Sequence, residues 1–161
     1  MVETGISTSP ETGKEFVVDA TAWIVCNGEV AVFRDRRGST EKGEVTIEPR
    51  LFNLPRISVF PPDDPQFVLA SYLRQHFGAI KVGRKIWGKI TGEVVQTYFI
   101  RFPAKILVYH CEVDSQQSLG FDQRRYGEVS WLSPQDLAKL PDAAEKTRLI
   151  ARSILEKRKN D

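Results

Sequence analysis

The sequence predicts one domain of the α/β or α+β class, and three observations point there. Two runs of apolar, mostly β-prone residues, Thr21-Ala22-Trp23-Ile24-Val25 and Val30-Ala31-Val32-Phe33-Arg34, flank Asn27-Gly28, a dipeptide suited to a tight hairpin turn. Leu69, Leu73 and Phe77 recur at i, i+4 and i+8, which lines up one apolar stripe on a helix. Further strand-like runs then lead to a last helical segment from about Ala143 to Lys157, where Leu149, Ile150, Ser153 and Ile154 lie near one stripe. Periodicity alone does not separate α/β from α+β.

The elements follow in order. Residues before about Glu15 are rich in Ser, Thr, Gly and Glu and are expected to form a loose tail. After the first hairpin, Gly38 to Glu44 is polar and glycine-containing, so it is expected to be an exposed loop before Val45-Thr46-Ile47 and Leu51-Phe52-Asn53-Leu54. A loop with Pro61, Pro62 and Asp63 precedes Asp64-Pro65, an N-cap followed by a first helical proline, and Gly78 marks the stop; a helix from about Pro65 to Phe77 results. Lys85 to Thr91 and Val94 to Ile100 read as two strands with Gly92-Glu93 in the turn, a second hairpin. Lys105 to Val113 is a strongly apolar strand, and Ser115 to Tyr126 is a polar connection carrying Asp122, Arg124 and Arg125. Glu128-Val129-Ser130-Trp131-Leu132 reads as a strand, and Ser133-Pro134-Gln135-Asp136 supplies a cap, an N1 proline and an acid for a short helix.

Length and composition bound the function. At 161 residues, 41% hydrophobic and 27% charged, the chain suits one soluble domain, read as residues 16–157 between a tail of 1–15 and a tail of 158–161. A net charge of +2 does not by itself call for a polyanion partner. The distribution is uneven: from Arg74 to Lys105 the cations Arg74, Lys81, Arg84, Lys85, Lys89, Arg101 and Lys105 face only Glu93. Cys26 and Cys111 sit inside expected strands and read as buried free thiols, and with His76 and His110 they show no zinc-ligand spacing. The N-terminal residues lack a signal-peptide core and no run reaches the roughly 20 apolar residues that span a bilayer, so an intracellular, cytoplasmic protein with no membrane partner is expected.

From Leu54 to Ile80 the chain resembles the Nudix superfamily, whose box reads G-x5-E-x7-R-E-U-x-E-E-x-G-U, with U a bulky aliphatic residue. Aligned without a gap, Ile57 takes the first Gly, Asp63 the first Glu, Ser71 the Arg and Tyr72 the next Glu; Leu73 keeps the aliphatic site, Gln75 and His76 take the paired glutamates, and Gly78 and Ala79 complete it. The opening hairpin ending in Arg34, Arg36 and Arg37, and the closing strand, tryptophan and short helix, have the same look. The resemblance covers about Phe16 to Leu155 and implies a mixed β-sheet between helices.

The chemistry of the box explains what its substitutions imply. Carboxylates at i, i+3 and i+4 share a helix face and hold Mg2+ or Mn2+ against a diphosphate while the cation activates water. Here that face reads Tyr72, Gln75 and His76, side chains without formal negative charge that suit a hard cation poorly. Asp63 offers one carboxylate, and Asp63 and Asp64 also suit a helix start. Tyr72 and His76, one turn apart, are placed to stack beside the altered site. No metal site and no cofactor are expected; Mg2+ or Mn2+ enters only if the alternative below holds.

The resemblance implies a cleft shaped for a nucleoside diphosphate derivative, where Arg34, Arg36, Arg37, Arg56, Tyr98 and Trp131 are candidate ligand-binding residues, cations for phosphate and aromatics for a base. Arg56 stands in the segment leading to the helix, next to the position where the family carries glycine, and Trp131 also suits the core. The leading expectation is a non-hydrolytic Nudix-like domain that binds a nucleotide, RNA or a protein partner. Alternatives are a divergent hydrolase whose metal ligands have moved, with Glu112 and Glu128 the foremost replacements and Glu93 and Asp122 also available, and a structural subunit of a larger assembly.

Overall fold

The computed structural model describes residues 15–35, 51–78, 80–97, 100–121 and 126–159. The expectations that fall on Arg36, Arg37, the Gly38–Glu44 loop, Val45-Thr46-Ile47, Ala79, Tyr98, Asp122, Arg124 and Arg125 lie outside these residues.

Strands β1 (Val17–Cys26) and β2 (Glu29–Asp35) are joined at Asn27 and Gly28, whose φ angles of 54° and 79° give the hairpin turn that Asn-Gly favours. The two strands pair only next to that turn, at Val25↔Val30 and Cys26↔Glu29, and then part. Into the opening comes β4 (Arg56–Val59), antiparallel to β1 from Val18↔Val59 to Thr21↔Arg56. The other edge of β1 runs parallel to β6 (Ile100–Glu112), from Val17↔Ala104 to Val25↔Glu112. On β2 lie β7 (Tyr126–Leu132) and the short β3 (Phe52–Asn53), both antiparallel. Together with β5 (Lys81–Thr97), which pairs with β6, they make a mixed sheet of seven strands.

β5 corrects one expectation. The two short strands expected around Gly92-Glu93 are one continuous strand, and its hairpin partner is β6. Gly92, at φ 84°, does not turn the chain back; it sits in a register irregularity between Ile90 and Val94, where Thr91 Oγ1 donates to the Ala104 carbonyl at 3.2 Å. An isolated glycine inside a strand pattern marks a bulge as readily as a turn.

Alternation along β1 sorts the core into two layers. Val18, Ala20, Ala22 and Ile24 meet Leu69, Leu73 and Phe77 of helix α1 (Pro65–Phe77), the stripe the spacing predicts. Trp23, with Val30, Val32, Ile106 and Val108, meets α2 (Pro134–Lys139) and α3 (Glu145–Lys159). The mixed sheet between helices is therefore present. On α3 the fully covered side chains are Thr147, Ile150, Ala151 and Ile154, while Leu149 and Ser153 stand half-buried at the margin of the stripe. Cys26 and Cys111 are buried free thiols in the α1 layer, and burial pushes the Cys111 thiol up to about 12. Among the described residues no helix is long and apolar enough to cross a membrane.

Candidate functional site

Helix α1 begins as its sequence directs. Asp64 has the extended backbone of an N-cap, Pro65 occupies N1, and the Asp64 carbonyl accepts from Val68 N–H at 3.0 Å. The Asp64 carboxylate makes no capping hydrogen bond. It lies close enough to the Tyr109 phenol to add to the effect of burial in raising that group's pKa. At the other end Gly78 takes φ 87°, and the Phe77 carbonyl accepts from Gly120 N–H at 3.1 Å.

Helix α1 carries Tyr72, Gln75 and His76 at i, i+3 and i+4. Tyr72 is buried, its hydroxyl 2.7 Å from the hydroxyl of Tyr126 on β7. His76 lies against the Tyr72 ring with centroids 4.5 Å apart and planes inclined by 45°, so the expected contact forms as a tilted pair. Phe77 lies 5.0 Å from Tyr126 and 4.8 Å from Phe33, which ties the helix end to β2 and β7 through rings. Gln75 and Ser71 face outward.

The remaining carboxylates are dispersed. Asp63 lines a cavity of about 380 Å³ with Phe16, Pro61, Pro62 and Lys105. Glu112 lines another, of about 390 Å³, with Asp114, Arg74 and Lys81. Glu128 ion-pairs with Arg34 at 3.1 Å. Glu93 belongs to a third cavity. Among the described residues no three His, Cys, Asp or Glu side chains are grouped to hold a metal ion. Tyr72, Gln75 and His76, which carry no formal negative charge, do not fit Mg2+ or Mn2+.

Of the candidate ligand residues that are described, the arginines are engaged by protein groups. Arg34 lies over the Phe52 ring at 4.2 Å and ion-pairs with both Glu128 and Asp142 at 3.1 Å. Arg56 donates to Asp19 Oδ2 at 3.1 Å, on the α3 side of the sheet. Trp131 is half-buried and packs against the α1 layer.

A cavity absent from the sequence reading lies on that α3 side. It measures about 340 Å³ and is lined by Lys89, Thr91 and Glu93 of β5, Ile106 of β6, and Glu145, Lys146, Leu149 and Arg152 of α3. Helical spacing places Glu145, Leu149 and Arg152 on one face of α3. The cationic stretch from Arg74 to Lys105 included Lys89, and Leu149 lay on the apolar stripe expected of the last helix. The lining combines the apolar Ile106 and Leu149 with three cations and two carboxylates.

No protein-family model matches the chain, and no curated protein does. Solved structures do match. A MutT protein from Methanosarcina mazei Go1 is 14% identical, with 91% of this chain and 97% of that one covered at a TM-score of 0.65. A MutT NUDIX hydrolase from Burkholderia pseudomallei is 18% identical, with 84% and 95% covered at 0.55. A UDP-X diphosphatase is 14% identical, with 96% of this chain and 66% of that one covered at 0.58. The fold is Nudix-like.

Proposed function

We propose that this Nudix-like fold binds a phosphorylated, nucleotide-type molecule without hydrolysing it. The observation that carries the reading is the replacement of the metal-holding helix face by Tyr72, Gln75 and His76, with Tyr72 buried against Tyr126. Cleavage of a diphosphate in such a fold relies on a cation to activate water and absorb charge, and each 1.36 kcal/mol of lost stabilisation slows the step about tenfold. The α3-side cavity supplies what binding alone requires: Lys89, Lys146 and Arg152 for phosphate, and Ile106 and Leu149 for an apolar ring. At about 340 Å³ it sits toward the small end of the range usual for small-molecule sites, which favours a mononucleotide-sized ligand over a long RNA. The solved structures of similar fold include a UDP-X diphosphatase, which agrees with a nucleotide-derived ligand.

Two observations favour other readings. Glu112 and Asp114 share one cavity wall beside α1, the nearest approach to a relocated metal site, although Arg74 and Lys81 occupy the same cavity. Phe67, Ile90, Val94 and Ile100 are exposed large apolar side chains, as a subunit of an assembly would carry. The test is isothermal titration with nucleoside mono-, di- and triphosphates, nucleotide sugars and short RNAs. The reading expects a mononucleotide-sized ligand to bind and Lys89→Ala with Arg152→Ala to weaken it at least tenfold. Preference for RNA, or indifference to both substitutions, contradicts it.

A further inference from the structure

We infer that Arg56 and Lys146 form a seat for a terminal phosphate at the margin of the α3-side cavity, and that the Asp19 carboxylate resting there must be displaced before any phosphate enters. The inference builds on the nucleotide-binding reading. Asp19 Oδ2 accepts from Arg56 Nη1 at 3.1 Å and from Lys146 Nζ at 3.4 Å, while Oδ1 accepts from Thr21 Oγ1 at 3.1 Å. Donors from β4, α3 and β1 thus converge on one anion. The group is continuous with the cavity: Lys146 lines it, and Asp19 stands in ladder register with Ile106, part of its floor. Asp19 is partly exposed, at 22% of its side chain, so it has room to turn toward water when displaced.

Charge selects the ligand. Among the described residues, two cations share one carboxylate in the seat, one positive charge more than Asp19 balances. A phosphate monoester, with a charge of about −1.5 to −2 near neutral pH, gains by taking the place of Asp19. A phosphodiester, carrying a single charge, exchanges one anion for an equal one and gains little. The seat therefore favours nucleotides that end in a free phosphate over those whose phosphates are all esterified on both sides, such as RNA or a nucleotide sugar.

The experiment titrates ADP against ADP-ribose, and UDP against UDP-glucose, into the wild-type chain, Asp19→Asn, Lys146→Ala, the double variant and Arg56→Ala. Wild type is expected to prefer the free diphosphates about tenfold, and Asp19→Asn to tighten all four ligands while keeping that preference, because the displacement cost it removes is common to them. In the Lys146→Ala background the Asp19→Asn substitution should change affinity much less, since coupled groups are non-additive. Arg56→Ala should erase the preference even if Asp19→Asn does not fold. Equal affinity for both ligand types in wild type, weaker binding in Asp19→Asn, or additive effects in the double variant would overturn the seat. Should nucleotides bind in a manner sensitive to Lys89 and Arg152 but blind to Asp19, the seat fails and the nucleotide reading stands; if nothing binds wild type or Asp19→Asn, both fail.

Discussion

Replacing Tyr72 by Phe removes one buried hydroxyl where α1 meets β7. The ring is 8% exposed, and its hydroxyl lies 2.7 Å from that of Tyr126. Phenylalanine keeps the tilted contact with His76 and the edge contact with Phe77 at 6.3 Å, so the change removes the hydroxyl and leaves these ring contacts in place. A typical intramolecular hydrogen bond contributes about 0.5–1.5 kcal/mol net, and an uncompensated buried hydroxyl costs about 1–3 kcal/mol. Tyr72→Phe and Tyr126→Phe are each expected to cost about 1–2 kcal/mol, and the double variant less than their sum by about 1 kcal/mol. In a domain of this size that is a fall of roughly 2–8 °C for each single variant. Guanidinium unfolding of the four proteins, with unchanged slope m, measures the coupling. Strictly additive midpoints would show that the two hydroxyls do not sense one another, and the account of a closed aromatic contact in place of carboxylates would be refuted.

Phe77→Ala, which strips a fully buried ring from contacts with Phe33 and Tyr126, should destabilise by about 3–5 kcal/mol and loosen α1 from β2 and β7 in hydrogen exchange. The Cys111 thiol rises from its ordinary 9.0 to about 12, so the fold favours the neutral form; its contribution is complete below pH 9 and is lost as pH climbs from 9 toward 12. Tyr109, raised above its ordinary 10.0 by burial and Asp64, adds to the same alkaline loss. Unfolding midpoints from pH 8 to 11 should fall less steeply in Cys111→Ala than in wild type, and parallel curves would contradict the assignment. Ser133→Ala removes the hydroxyl that accepts from Asp136 N–H at 3.1 Å and should cost about 1 kcal/mol by thermal unfolding.

Local signals carried much of the fold. Asn27-Gly28 specified the first hairpin, and Asp64-Pro65 with Gly78 bounded α1 from Pro65 to Phe77. Gly92 misled because its turn chemistry served a bulge inside β5, and only the partner strand β6 distinguishes the two uses. The opening of β1 and β2 to admit β4 depends on pairing between residues far apart in sequence, which no local pattern encodes. On α1, the contact of Tyr72 with His76 was legible because the two positions are one helical turn apart. Arg34 and Arg56 were visible as cations but not their engagement by Glu128, Asp142 and Asp19, which come from other elements. The α3-side cavity was missed for the same reason: Lys89 and Arg152 meet only when α3 lies across β5 and β6.

Phosphorus-31 NMR of the chain incubated with UDP-glucose, ADP-ribose and a nucleoside triphosphate, each with Mg2+ or Mn2+, tests the central claim most directly. The account predicts unchanged ligand resonances and no product above the protein-free control, while the same sample binds nucleotide by titration. Accumulation of cleaved phosphate or nucleoside monophosphate that requires the metal and disappears in Glu112→Gln would contradict it.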